Sequence, residues 1–474
     1  MKPRFLFAAL ALAYASHAGT TFAQAFLSDP RLVEGRGIKA GNFELHPGIA
    51  VAGGYDSNYF QGAGTENGVT ALNGAQVSVR EPVIDAWRLQ VTPSFSMLTR
   101  GVRASQEGGG PLPDLTLAAH ADASYNALWA NQSQYSSYVT NQDDVGVSAG
   151  AALNVFPART WGGDLGAEYN RIIEASNDPT VSNAWKRDNI RGTAGISFRP
   201  GGGLFSVRVG YQANVTLFES SGFQTLNNIV HSLQLGSTWK FLPRTALVYR
   251  GNITWLEYTD TRPQTLGTGQ TFDSQIGLNG LISNYFGLLG MIGWAGTFYN
   301  TAAGTAQNFD SVIGQAQLTW YPNPQNQVPG PNAMPVGLSS VALGYTRSFG
   351  PSYLGTYFQQ DRGYLNTVYF FGQRFVASLA GGLSHVTRPA SFFANVPATA
   401  APGQDVQSPG SGENRVDGVA FLEYRLSTSV GVNTTFRYDA ELDHRVYQIA
   451  FGSPTGDDLK FNRYQILLGA RWFL

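Results

Sequence analysis

The 474-residue chain has no cysteine, so no disulfide staples it and no thiolate chemistry or thiolate metal site is available. Charge is scarce as well. Asp, Glu, Lys and Arg make up 13 % of the residues, where about a quarter is usual in soluble domains. The net charge is −1, which excludes the basic surface of a nucleic-acid-binding protein and points to no partner by itself. The six histidines are scattered, with no His-x-x-x-His pair, and no acidic loop has the form of a calcium site, so neither a metal site nor a cofactor is expected. Past the N-terminal segment there is no run of about 18 apolar residues, so no membrane-spanning helix is expected.

Glycine and aromatic residues are abundant: 56 glycines, and 13 % Phe, Trp and Tyr. Transmembrane β-barrels use aromatics in girdles at both membrane interfaces and glycine in turns and tightly twisted strands. At the N-terminus, Lys2 and Arg4 precede the apolar run Phe5–Ala15 and small-residue sites at Ala18 and Ala23. That order reads as a secretory signal peptide over residues 1–23, cut after Ala18 or Ala23, because the apolar core is too short for a retained anchor. Residues 24–42 then form a periplasmic N-terminal segment and 43–474 the body of the protein.

Residues 205–217 read FSVRVGYQANVTL, apolar at every odd position and small or polar at every even one. Successive side chains of a strand point to opposite faces, so this is a strand with one apolar and one wet surface, long enough to cross a bilayer at a tilt. The pattern recurs at about eighteen places, from Phe43–Tyr55 to Phe461–Leu474. The predicted fold is all-β: a transmembrane antiparallel up-and-down β-barrel of about 18 strands, with 16 the runner-up, and a polar lumen, in the outer membrane of a Gram-negative bacterium.

Where parity is clear, the second face carries Arg88, Asp122, Asp164, Glu168, Arg191, Arg208, Gln212, Asn214, Lys240, Arg250, Glu423, Arg425, Arg437, Arg463 and Arg471, with Asp417 and Asp439 beside them. An Arg or Lys at the bilayer midplane costs about 2–4 kcal/mol, so this face is assigned to the lumen. Mixed acids and bases suit either a water-filled path or a network of internal ion pairs, and the pattern leaves both open. Tyr357–Phe370 puts Gln360 and Arg362 on the parity of Phe358, Tyr364 and Phe370, so its faces stay unassigned and a register shift or bulge is expected there.

The tight connections Pro157–Arg159, Pro200–Gly203, Leu242–Arg244 and Ser427–Thr428 alternate with longer ones at Asp56–Asp85, Glu174–Ala184, Ser220–Leu226, Asp260–Thr271 and Thr387–Asn414. Barrels with short periplasmic turns and longer extracellular loops alternate in this way. Gly101–Pro113 and the proline-rich Pro322–Pro335 break the rule as long periplasmic connections, the second being either an ordinary turn or a contact for a periplasmic partner. No segment has the size of a plug domain, although loops 56–85 and 387–414 are long enough to fold inward. The final strand alternates Tyr464, Ile466, Leu468, Ala470, Trp472 and Leu474 to the last residue, the form that barrel-assembly machinery reads during insertion. That machinery, together with outer-membrane lipid and lipopolysaccharide, makes up the expected set of partners.

The segment GIKAGNFELHPGIAVAGGYDSNYF, residues 37–60, enters the first strand through Gly37, Gly41, Phe43, Leu45 and Pro47 and leaves it at Tyr55, Asp56 and Asn58. In this it resembles the opening of the β-barrel porin 2 family of proteobacterial outer-membrane proteins. The resemblance implies a channel with no catalytic residues. Through members that belong to exopolysaccharide export loci, it also implies a porin that releases polysaccharide, with periplasmic export proteins as further partners. Tyr321, Tyr369 and Phe421, where they face inward, would stack on sugar rings. The rival readings are a general or solute-specific uptake porin and a structural barrel or adhesin with a closed lumen. An enzyme is not expected: the neighbours Ser384 and His385, the adjacent pair that could supply a nucleophile and base, point to opposite faces of a strand.

Overall fold

The computed structural model describes residues 37–70, 76–100, 113–173, 186–219, 224, 227–259, 268–300, 306–322, 339–351, 357–371, 374–388, 391–393, 406–408, 411–444, 446–448, 455–458 and 460–474. The segment read as a signal peptide, most of residues 24–42 and nearly all of the connections 101–113 and 322–335 lie outside these residues.

Eighteen strands form the wall. They begin with β1 Phe43–Asp56, β2 Ala86–Thr99, β3 Leu115–Ala130, β4 Asp144–Val155, β5 Trp161–Ile172 and β6 Arg187–Phe198. Next come β7 Phe205–Phe218, β8 Asn228–Leu242, β9 Thr245–Tyr258, β10 Thr268–Leu281, β11 Phe286–Asn300 and β12 Ala306–Trp320. The last six are β13 Ser340–Pro351, β14 Tyr357–Phe371, β15 Phe375–Arg388, β16 Ser411–Arg425, β17 Val430–Glu441 and β18 Phe461–Phe473. Each pairs antiparallel with the next, and β1 pairs with both β2 and β18: Ala52 lies opposite Gln90 on one side and Gly469 on the other. The sheet is therefore a closed antiparallel barrel, the arrangement that leaves no backbone edge unpaired in lipid.

Register carries the alternation from strand to strand. Ile196 pairs with Val209, and Tyr211 with Leu233, all on the outer face. Ile196, Ile292 and Leu468 are more than 60 % exposed in the isolated chain, because lipid is their solvent. Aromatic residues sit eight positions apart on these faces, at Trp87/Phe95, Trp161/Tyr169, Phe286/Trp294 and Tyr464/Trp472. Eight residues cover about 27 Å of strand, or about 20 Å along the membrane normal at the usual tilt, close to the height of an outer-membrane apolar band. At the outer girdle the aromatics donate to carboxylates, Tyr169 to Asp188 at 2.8 Å and Trp294 to Asp310 at 2.9 Å, which marks the headgroup level.

Two features depart from the sequence pattern. Tyr357–Phe371 pairs with both neighbours in continuous register, so the expected shift or bulge is not there; Gln360, Arg362 and Tyr364 all face inward, and the mixed parity reflects an aromatic residue lining the lumen. The loops also hold structure of their own. Gly64–Thr70, Gln76–Glu81, Val446–Gln448 and Thr455–Asp458 form a four-stranded sheet that joins the first and last extracellular loops, and Ser136–Thr140 forms a short helix. The β2–β3 ladder breaks between Val91 and Ser94, at Pro93, which has no N–H to donate.

Leu468→Arg places a charge on the lipid face of β18, whereas Gln212→Arg places one on the inner face of β7. Urea unfolding in lipid vesicles is expected to show a loss of about 2–4 kcal/mol for the first and under about 1 kcal/mol for the second.

Candidate functional site in the lumen

The inner face is built by the even positions of β1 to β3 and the corresponding parity of every later strand. The polar residues singled out from the sequence all occupy it. Asp122 lies opposite Ser94 and Ser148, Gln212 opposite Thr193 and Ser232, and Asn214 opposite Arg191. Arg191 pairs with Glu168, whose other side-chain neighbour is Asn170 at 2.8 Å. Lys240 stands at the periplasmic edge, where the β8–β9 register shifts between Trp239 and Leu242. Arg250 is exposed on the inner face and makes no ion pair with a described residue.

Three of the inner-face ion pairs share a single device. Arg208 donates two hydrogen bonds to Asp164, at 2.9 and 2.6 Å, reaching from β7 to β5 across the intervening strand. The residue beneath the bridge is Gly195, where an added Cβ would come within 2.5 Å of Arg208 Nη2 and 2.7 Å of Asp164 Oδ1. Arg362 on β14 grips Asp417 on β16 with two bonds of 2.7 Å, over Gly382 of β15. Arg471 on β18 donates to Glu423 on β16 at 2.6 Å, over Gly431 of β17, while Arg425 adds a bond of 3.3 Å to the same carboxylate. In each case the inward glycine of the middle strand lets a planar, charge-assisted pair lie against the wall instead of projecting to the axis. Glu423 is fully buried, so its charge depends on Arg425 and Arg471.

A second concentration of charge sits under the extracellular mouth. Arg463 donates to Asp56 at 2.9 Å, Gln465 donates to the same carboxylate at 2.6 Å, and Arg88 approaches it to 3.8 Å. Arg437 donates to Asp439 at 2.6 Å alongside. Directly after β1 the chain turns into the barrel. Phe60 is buried with Tyr59 and Ile84 against Ala86, Leu128 and Val139, and Ala86 and Leu128 are inner-face residues of β2 and β3. Arg88 and Arg463 lie 6.0 and 5.8 Å from the Tyr59 ring, and burial pushes the Tyr59 phenol above its ordinary value. Loop 56–85 thus narrows one side of the mouth. Of loop 387–414, the described parts form a small hairpin of Ser391–Phe393 with Val406–Ser408.

The far wall is different. Inner-face positions of β11 to β13 carry no charge: β11 contributes Leu289 and the buried Met291, Ala295 and Thr297, while β12 and β13 present Ser311, Gln315, Gln317, Thr319 and Thr346. Among the aromatics expected to stack on sugars, Phe421 faces inward opposite Ser378, and Tyr321 follows the end of β12 beside Gly287. Tyr369 shares the parity of Leu365 and faces lipid, because it stands an odd number of residues from Tyr364. Sequence reasoning did not place Asp56, Arg362, Tyr364, Asp273 or Arg415 on the inner face, since they stand near strand ends or on the strand of unassigned parity.

No family model matches the chain, and no curated protein matches it. Among solved structures it is similar to the FrpB iron transporter of Neisseria meningitidis, F3-3 variant, at a TM-score of 0.44 and 9 % identity over 96 % of this chain and 83 % of that one. It is also similar to the outer membrane protein OpdK of Pseudomonas aeruginosa, at a TM-score of 0.41 and 12 % identity over 91 % and 99 %. A bacterial polysaccharide outer membrane secretin gives a TM-score of 0.31 and 9 % identity over 91 % and 99 %. Likeness at this level concerns barrel architecture. The closed wall, its lipid-facing belt and its polar interior make the protein an integral β-barrel of the Gram-negative outer membrane.

Gly195→Val is expected to lift the Arg208–Asp164 pair off the wall and lower ion conductance in planar bilayers. Gly192→Val, on the lipid face where an added Cβ meets nothing within 4 Å, should leave conductance unchanged. Glu423→Ala strands two arginines and should cost about 3–5 kcal/mol in urea unfolding.

Proposed function

We propose that the protein is a passive channel of the outer membrane, and that its specific task is to release a polysaccharide to the cell surface. The observation that carries the channel reading is the wall-hugging arrangement of the inner charges: Arg208–Asp164, Arg362–Asp417 and Arg471–Glu423 all lie over glycines. Eighteen strands enclose a bore wide enough for an aqueous path when nothing fills its centre. Flat ion pairs neutralise the wall without filling it. The polysaccharide reading draws on the resemblance of residues 37–60 to a porin family with members in export loci and on the amide and hydroxyl side chains of β12 and β13. Periplasmic export proteins are its natural partners. The chemistry required is binding and passage, with no bond made or broken.

A solute-specific uptake porin is the second reading, favoured by the inward turn at Tyr59 and Phe60, which sets a one-sided constriction beside Asp56, Arg88 and Arg463. Swelling of protein-loaded liposomes in a graded series of sugars separates the two. An export channel should admit oligosaccharides well beyond a disaccharide, and a sharp cut-off at small solutes would favour uptake. Arg250→Glu should shift the reversal potential under a salt gradient toward cation preference, since Arg250 is an exposed inner-face cation without a described partner.

A further inference from the structure

One row of the wall runs across five strands at a single level. Gln317 of β12 lies opposite Gly344 of β13, which lies opposite Tyr364 of β14; Tyr364 in turn lies opposite Gly382 of β15, and Gly382 opposite Asp417 of β16. Both glycines are covered. The Tyr364 ring lies over Gly344, where an added Cβ would come within 2.8 Å of ring atom Cε1, and the Arg362 guanidinium lies over Gly382 on its way to Asp417. The Tyr364 hydroxyl donates to Gln317 Oε1 at 2.7 Å and accepts from Gln315 Nε2 at 3.3 Å, which holds the ring down. Gln317 continues to Thr319 at 2.9 Å, and Asn366, two residues along from Tyr364, is exposed.

The result is a strip of planar groups about 19 Å across, given the spacing of strands in a sheet: carboxamides, a phenol ring, and a guanidinium–carboxylate pair. Its charges cancel within the strip. The hydroxyl end of the ring lies against Gly344, and the residue is half-buried, not enclosed. An apolar ring face flanked by fixed donors and acceptors is the chemistry that recognises a pyranose, whose axial C–H groups stack on the ring while its hydroxyls bond to amide and ion-pair edges.

We propose that this strip is a saccharide subsite, centred on Tyr364, that binds an uncharged stretch of a glycan chain. The proposal rests on the channel reading for its biological use, while its binding chemistry is independent of conduction. Purified protein in detergent is titrated calorimetrically with maltohexaose, cellohexaose and mannohexaose, and the same sugars are tested as blockers of ion current in planar bilayers. At least one neutral hexasaccharide should bind wild type. Tyr364→Ala should weaken that binding about 5- to 10-fold, the scale of one lost stacking contact. Gly344→Ala should weaken it while keeping the tyrosine, because the new methyl displaces the ring. Tyr364→Phe should retain most of it. Heat-modifiable migration on gels confirms that each variant is folded. Binding of none of the three, or binding unchanged in folded Tyr364→Ala, overturns the subsite. Tighter Tyr364-dependent binding of hexagalacturonate overturns the assignment to uncharged glycan. Calorimetric binding without any ion conduction sustains the subsite and counts against the channel; conduction without binding does the reverse.

Discussion

A charged side chain on the inner face of a barrel has two places to go, the axis of the lumen or the surface of its own wall. Here the wall wins wherever a glycine stands on the strand between two partners. Neighbouring strands lie about 4.8 Å apart, so a pair that skips one strand must lie nearly flat. A Cβ at Gly195 or Gly382 would come within 3.0 Å of the bridging side chains and force them to shift, and one at Gly431 would crowd Glu423 at 3.0 Å. Gly195, Gly382 and Gly431 remove that obstacle beneath three bridges, and Gly344 removes it beneath Tyr364. Two hydrogen bonds each hold Arg208 to Asp164 and Arg362 to Asp417, and one holds Arg471 to Glu423.

The same constraint divides the interior into regions with different character. Glycine-supported pairs and the Asp56–Arg463 group concentrate charge on the wall formed by β14 to β18 and by β1 to β7, while β11 to β13 stay uncharged. The mouth is narrowed from one side by Tyr59 and Phe60, whose apolar packing on Ala86 and Leu128 is anchored by the cationic groups below. Closure depends on the β1–β18 seam, where His46 Nδ1 lies 2.8 Å from the backbone oxygen of Leu474 and the Leu474 N–H donates to the Pro47 carbonyl. Both chain ends of the wall are thus held in one ladder.

The fold was legible because lipid enforces it. A period of two, repeated with enough residues to cross the bilayer, leaves few alternatives, and the inward parity of residues such as Arg208 and Gln212 follows from the same rule. What stayed hidden depends on neighbours distant in sequence. Glycines 195, 344, 382 and 431 look like ordinary strand glycines until register sets each between its bridging partners. Tyr364 broke the apolar pattern because an aromatic residue can line a lumen as well as face lipid, and Arg362 was left unassigned with it. The loop strands at Gly64–Thr70 and Thr455–Asp458 lack alternation; both pair with Gln76–Glu81, the first antiparallel within its own loop and the second parallel across the mouth.

The central claim is that inner-face charges held against the wall leave a continuous aqueous path. Single-channel recording of the purified full chain in planar bilayers tests it most directly. The account predicts discrete, long-lived open steps with a near-linear current–voltage relation. Correctly folded protein that inserts into the bilayer and never opens would contradict it.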